Sequence, residues 1–293
     1  MTQQPAQPAG PRTSSETVWF AGSGGTLAGT VVLPRTGGAH PALVLVHDTG
    51  DRSAQQLRPL AKALARAGIA ILIYDKRGVG DSAGDWRAGD FEDLASDALA
   101  GVRLLQARAD IQPQQVGLLG IGEGGWVAPI AAARSRDAAF LITIAAPGMS
   151  PIEQERYRRA RALRSSGYGK RSIPLSTSLW LLACRFWQLL PDRRQSPLSL
   201  QAYFNRVCAF DPLPVWRQVR QPILALWGGQ DERVPPRGSA WLLRQILATH
   251  PDSTLAILPD ADHDLLPGGL PASAVSDEAV RMVERWIAAR TAA

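Results

Sequence analysis

The stretch GLLGIGEGGW, Gly117 to Trp126, decides how the chain is read. A short apolar run enters a turn in which glycine recurs at 120, 122, 124 and 125, and WVAPIAAAR continues with helical character. Strand, sharp turn and helix follow one another without a gap. Two turns of known chemistry share this text: a glycine loop that cradles the phosphates of a dinucleotide, and an elbow of the form G-x-S-x-G that lifts a nucleophilic side chain above a sheet. At the serine's place in the second stands Gly122.

Context separates the two. A dinucleotide loop opens the first βαβ unit, and an acid about 20 residues on closes the next strand. Here several strands precede the turn, and the following strand, AFLITIAAPG, ends without an acid. The elbow is the reading that fits.

Outward from the elbow, buried strands alternate with helices. ALVLVH, IAILIYD, QVGLLG and AFLITIAAPG are continuous apolar runs of the kind covered on both faces. Between them, Ser53 to Ala67 and Phe91 to Arg108 carry apolar residues at helical spacing, and Gly68 stops the first. Thr17 to Phe20 and Leu27 to Leu33 flank AGSGGT as an opening hairpin. Alternation of this kind implies right-handed crossovers and a mostly parallel sheet with helices on both faces. It breaks from Ser150 to Arg220 and resumes with PILALWGGQD, a helix near Ser239 to Thr249, TLAILPDADHD and a helix from about Asp277 to Ala289.

The expected organisation is therefore a flexible tail over 1–16, a core over 17–149 and 219–293, and a helical cap inserted at 150–218. With 293 residues, 45% of them hydrophobic, the chain can bury a large core. The polar, Pro-rich start has no secretory h-region, and no apolar run reaches the roughly 18 to 20 residues of a membrane span. Two cysteines, Cys184 and Cys208, make no disulfide framework and have no metal-ligand spacing around them. A reduced, cytoplasmic protein with neither metal nor cofactor is expected.

The net charge of +6 would ordinarily suggest a nucleic-acid partner. Its distribution argues otherwise. Between Pro151 and Arg194 nine Arg and one Lys face Glu153, Glu155 and Asp192, a net +7 that leaves about −1 for the rest. Arg156, Arg158, Arg159, Arg161 and Arg164 surround their segment as a solvated face does, or form a rim that attracts anionic substrates. Leu179 to Leu190, with Trp180, Phe186 and Trp187, reads as a lid over an apolar cleft.

Chemistry is suggested by three separated pieces: the elbow at 120–125, an acid after ILALWGG at Asp231, and a histidine after LAILPDAD at His263. Acid and histidine each follow a strand, where the loops of a parallel sheet converge. The order is nucleophile, acid, base. ALVLVHDTG, IYDKRGVGDSAGDW, FEDLASDAL, VGLLGIGEGGWVAPIAAARS, FDPLPVWRQVRQPILALWGGQDERVPP and LPDADHDL together resemble successive blocks of the bacterial α/β-hydrolase family that includes esterases, serine-aminopeptidase-like and acyl-thioesterase-like members. The resemblance spans roughly 17 to 290, with the 150–218 insertion matching least.

It implies the α/β-hydrolase fold and hydrolysis of a small-molecule acyl ester, thioester or amide through an acyl-serine. Asp231 would orient the histidine, and His263 would be the general base. His47 and the turn after it match the H-G-x oxyanion loop, with the backbone N–H groups near Thr49 and of Glu123 as donors. Three positions depart from the pattern. Gly122 stands for the nucleophile serine, Ile121 for a common His, and Asp48 for the Gly after His47.

Only the first removes chemistry outright. Gly122 suits a strained turn that costs other residues on the order of 1 to 3 kcal/mol, but it has no group to attack a carbonyl. Losing the serine of such a triad costs about 10⁶ in rate, roughly 8 kcal/mol. Glu123 is a poor substitute nucleophile, Ser82 lies in a block that resembles an ordinary loop, and Ser150 is no better placed. Three readings stay open: an impaired or inactive serine hydrolase, a ligand-binding or regulatory module in the old pocket, and an enzyme using His263 and Asp231 as a general base without a covalent step.

Overall fold

A computed structural model describes residues 13–51, 53–169, 172–189, 198–265 and 276–291. Its eight strands run β1 (Thr13–Gly22), β2 (Gly25–Pro34), β3 (His40–Val46), β4 (Ala70–Tyr74), β5 (Ile111–Ile121), β6 (Leu141–Ile144), β7 (Ile223–Gly228) and β8 (Ser253–Leu258). They form one sheet in the order β1-β2-β4-β3-β5-β6-β7-β8, antiparallel from β1 to β4 and parallel from β4 to β8. Side chains of a strand alternate between faces, and here both faces are apolar. Val44, Val46 and Leu118 pack into one core, while Leu43, Leu45 and Leu119 pack into the other. That is why these strands read as unbroken hydrophobic runs.

Helices α2 (Phe91–Gln106) and α3 (Gly124–Arg134) cover the first face with Leu94, Ala98, Val102, Val127 and Ala131. Helix α1 (Ala54–Arg66) covers the second with Leu57, Ala61 and Leu64, joined by Val283 and Trp286 of α9 (Asp277–Thr291). The α/β-hydrolase architecture expected from the sequence is present. Between β6 and β7 lie α4 (Pro151–Ser165), α5 (Ser172–Leu189), α6 (Leu200–Val207) and α7 (Leu213–Trp216), and α8 (Pro236–Ile246) follows β7. No helix among the described residues is long and apolar enough to cross a membrane.

Two local expectations need correction. Thr13 to Glu16, read as tail, pair antiparallel with Val31 to Pro34. They form the exposed end of an edge strand, which contributes its backbone to the ladder and leaves polar side chains in water, so its text looks like tail. Helix α8 starts three residues before Ser239, because Pro236 in the first turn needs no N–H partner there. Of the expected lid, Leu181 faces inward against a cavity, whereas Leu179, Leu182 and Phe186 are exposed. Leu190 and the side chain of Trp187 lie outside the described residues.

One polar cluster ties the sheet's edge to its helices. Arg77, after β4, donates through Nε to Asp97 of α2 at 2.5 Å and through Nη2 to the Asp93 carbonyl at 2.9 Å. Asp97 also accepts from the Ser23 N–H in the β1–β2 turn at 2.9 Å. Both charged groups are buried, so removing one strands the other. Asp97→Ala is expected to lower the unfolding free energy by about 3 kcal/mol, measured by urea denaturation.

Candidate active site

The elbow is built by close approach of backbone to backbone. A Cβ at Gly120 would overlap the Gly124 carbonyl oxygen, and a Cβ at Gly124 would overlap that of Val46. Gly122, between them, has φ +54°, the left-handed conformation that glycine adopts without strain. Its N–H donates to the Ile144 carbonyl at 3.0 Å, and its carbonyl accepts from Gly125 N–H at 2.8 Å to start α3. The turn is held in shape without any side chain at 122.

Asp231 follows β7 and His263 follows β8, and the loops bring them together. Asp231 Oδ1 accepts from the N–H groups of Arg233 at 2.7 Å and Val234 at 2.9 Å. That leaves Oδ2 for His263 Nδ1 at 2.8 Å. The carboxylate fixes the imidazole so that Nε2 points away from it, toward Asp48. Asp231 and His263 are both buried.

Asp48 is where the site departs from expectation. Its Oδ1 accepts from Glu123 N–H at 3.1 Å, so a side chain of the chain itself satisfies the expected elbow donor. Its Oδ2 lies 3.6 Å from His263 Nε2, an ion-pair distance rather than a hydrogen bond, and pairs with the Arg233 guanidinium. A Cβ added to Gly122 would overlap Asp48 Oδ1. The carboxylate occupies space that a serine at 122 would need.

Charges follow from this packing. Burial alone would raise the Asp48 carboxyl, but His263, Arg233 and the Glu123 N–H outweigh it and hold it well below the usual carboxylate range. Burial likewise opposes charge on His263, yet Asp231 and Asp48 push its pKa up to about 9. At neutral pH the site holds an imidazolium beside two carboxylates. A protonated histidine is no general base.

Two residues that the sequence did not single out complete the arrangement. Arg233 belongs to the acid loop and reaches across to Asp48. Lys76, buried after β4, donates to the Asp48 carbonyl at 2.6 Å and to Glu123 Oε1 at 3.0 Å, with its ammonium 5.0 Å from the Trp86 ring centroid. It pins the loop after β3 to the elbow and engages Glu123 in a buried ion pair. Both sit in blocks quoted for the family resemblance, but nothing local distinguishes them from solvated cations. Of the other expected site residues, His47 is buried with its ring edge-on to Tyr74 at 4.8 Å, and Thr49 is exposed. Ser82 bridges backbone, accepting from Ala28 N–H at 2.9 Å and donating to the Asp75 carbonyl at 2.7 Å, a structural role.

Among the described residues no three His, Cys, Asp or Glu side chains are placed to hold a metal ion. Comparison with known proteins agrees with this architecture. The family model described as "Alpha/beta hydrolase family" matches residues 43–277. The chain belongs to this family. Esterase EstD of Thermotoga maritima is 25% identical over 250 residues, 83% of this chain and 58% of that protein, so this chain spans little more than half of its relative's length. An uncharacterized protein of Mycobacterium tuberculosis is 27% identical over 267 residues, 87% of this chain and 77% of that one. Among solved structures, DcsB in complex with its substrate analogue superposes with a TM-score of 0.68 at 18% identity over 96% of this chain and 100% of that one. The Pyrococcus furiosus esterase Pf2001 gives 0.64 at 17%, covering 98% and 96%, and both structural likenesses speak for the fold.

The coupling of His263 to Asp48 can be read by titration. Asp48→Asn removes one of the two carboxylates that raise the imidazole, so the His263 pKa, followed by NMR of its ring protons, is expected to fall below about 9. The sign for stability follows from linkage. A group whose pKa is raised on folding stabilises fully below its unfolded value and loses that contribution as pH rises through the folded value. The parent protein should therefore lose stability between about pH 6.5 and pH 9, and His263→Gln should flatten that part of the profile.

Proposed function

We propose that this hydrolase is of the ester, thioester or amide type by descent and has given up the acyl-serine route, its elbow being closed by the Asp48 carboxylate. One observation carries the reading: Asp48 fills the space of a side chain at 122 and takes the Glu123 N–H that an oxyanion would use. In this reading Asp231 orients His263, His263 is the former base, and Glu123 N–H and the backbone near Thr49 are the former oxyanion donors. The 150–218 insertion is a cap, and the ligand is a small acyl compound rather than nucleic acid, since the excess charge is confined to that insertion. Cys184 and Cys208, neither of them in a disulfide, suit a reduced, cytoplasmic setting.

A non-covalent route in which His263 activates water is disfavoured by the charge state of the site. With its pKa near 9, His263 reaches its basic form only in alkaline solution, and Asp48 is too firmly held by Arg233 to serve instead. Any activity of that kind should rise through about pH 9, so a pH–rate profile separates it from background.

Hydrolysis of short- and medium-chain p-nitrophenyl esters by four proteins tests the reading: the parent, Gly122→Ser, Asp48→Gly and the double variant. The parent and both single variants should sit at background, the first because it lacks a nucleophile and Gly122→Ser because Asp48 obstructs it. The double variant should exceed either single one by at least about 10²-fold, a fraction of the 10⁶ that a complete triad contributes. Turnover by the parent that His263→Ala abolishes would overturn the proposal.

A further inference from the structure

A second feature lies apart from the elbow. Helices α4 and α5 and the core line a solvent-open cavity of about 1150 Å³. Its lining includes neither Gly122, Glu123 and Asp48 nor His263. Ligand sites commonly run from roughly 300 to 1,000 Å³, so this one is large enough for a molecule the size of a fatty acid. The floor is apolar, with Met149, Ile173, Leu181, Leu213 and Leu242 among its residues.

Its lining carries two arginines, Arg156 and Arg164, and two acids, Glu153 and Asp211. Among the α4 arginines, Arg158 and Arg159 pair with Glu155, and Arg161 pairs with Glu232 at 2.6 Å. Arg159 also stacks over Trp180 at 4.5 Å. Arg156 and Arg164 line the cavity, and among the described residues neither has a carboxylate partner. The two acids of the lining are otherwise engaged: Glu153 accepts from Ser150 Oγ at 2.8 Å, and Asp211 accepts from Leu213 N–H at 3.0 Å. Thus the arginines that meet solvent unpaired are those on the cavity. The remaining three share two carboxylates, Glu155 and Glu232.

We infer that this cavity binds a single-chain anionic amphiphile, its apolar tail on the Met149 and Leu181 floor and its carboxylate or phosphate head on Arg156 and Arg164. Guanidinium groups suit both heads because they donate two parallel N–H bonds to either. The site goes beyond the proposed loss of acyl-serine chemistry and does not depend on it.

Isothermal titration calorimetry of the full chain with decanoate, decyl phosphate, decanol and decyltrimethylammonium, each below its micelle concentration, tests the inference. Decanoate or decyl phosphate, or both, should bind with one-to-one stoichiometry at least about tenfold more tightly than decanol, the gain of roughly 1.4 kcal/mol that a charge-assisted contact supplies. The two anions distinguish a fatty acid from a phosphorylated lipid. The cation should not bind. Arg156→Gln/Arg164→Gln should remove the preference over decanol, and Ala160→Trp, which narrows the cavity from α4, should weaken binding of both anions and of decanol, with circular dichroism confirming that both variants fold. Gly122→Ser/Asp48→Gly should bind as the parent does. Absence of saturable binding to either anion by the parent, equal binding of decanol, or loss of binding in the elbow variant would overturn the assignment.

Discussion

A buried carboxylate must be compensated, and that of Asp48 organises the whole site. Left unpaired, such a charge costs several kcal/mol. Here it is answered by Arg233, by the Glu123 N–H and by the imidazole of His263. Asp231 and Glu123 are balanced in turn, by His263 and Lys76. Three carboxylates and three cations meet here, all buried except Arg233, whose side chain is partly open to solvent. The arrangement is neutral as a set, and no member can be removed without stranding another.

Seen this way, the departures at 48 and 122 are coupled. A serine at 122 and an aspartate at 48 compete for the same space, so Gly122 gives Asp48 its room, and Asp48 makes a side chain at 122 costly. The carboxylate also explains why His263 is charged: a neutral turn residue at 48 would leave the imidazole with Asp231 alone. Under the proposed function, an absent nucleophile and a charged histidine both follow from this one packing arrangement. That coupling is the physical reason for regarding the elbow as closed rather than as merely lacking one atom.

Much of the frame was legible in the sequence because its signals are local. Strands buried on both faces read as unbroken apolar runs, and an acid or histidine just past such a run lies where loops converge, which located Asp231 and His263. The elbow was legible through its glycines, each demanded by a specific backbone approach. Arg233 and Lys76 were not legible, because their partners are distant in sequence and their own neighbourhoods resemble solvated turns. Asp48 was legible as a departure but not as an occupant of the space beside Gly122, since that space forms only when β3 and β5 pair. Residues 13–16 were misread because an edge strand can be polar in every side chain and still be held by its backbone.

Helix α4 joins the two regions through neighbouring stripes. Gln154, Tyr157 and Arg161, at helical spacing, meet the acid loop in turn: the Arg233 carbonyl at 3.4 Å, the Asp231 carbonyl at 3.3 Å and Glu232 at 2.6 Å. Glu153, Arg156, Ala160 and Arg164, one position away around the helix, line the cavity. A displacement of α4 therefore acts first on the loop that carries Asp231 and Arg233, and only through it on Asp48. The contacts are partly exposed and individually weak, the two carbonyl contacts being long and an exposed ion pair contributing at most about 1 kcal/mol. Contacts this weak leave the cavity and the elbow largely independent of each other.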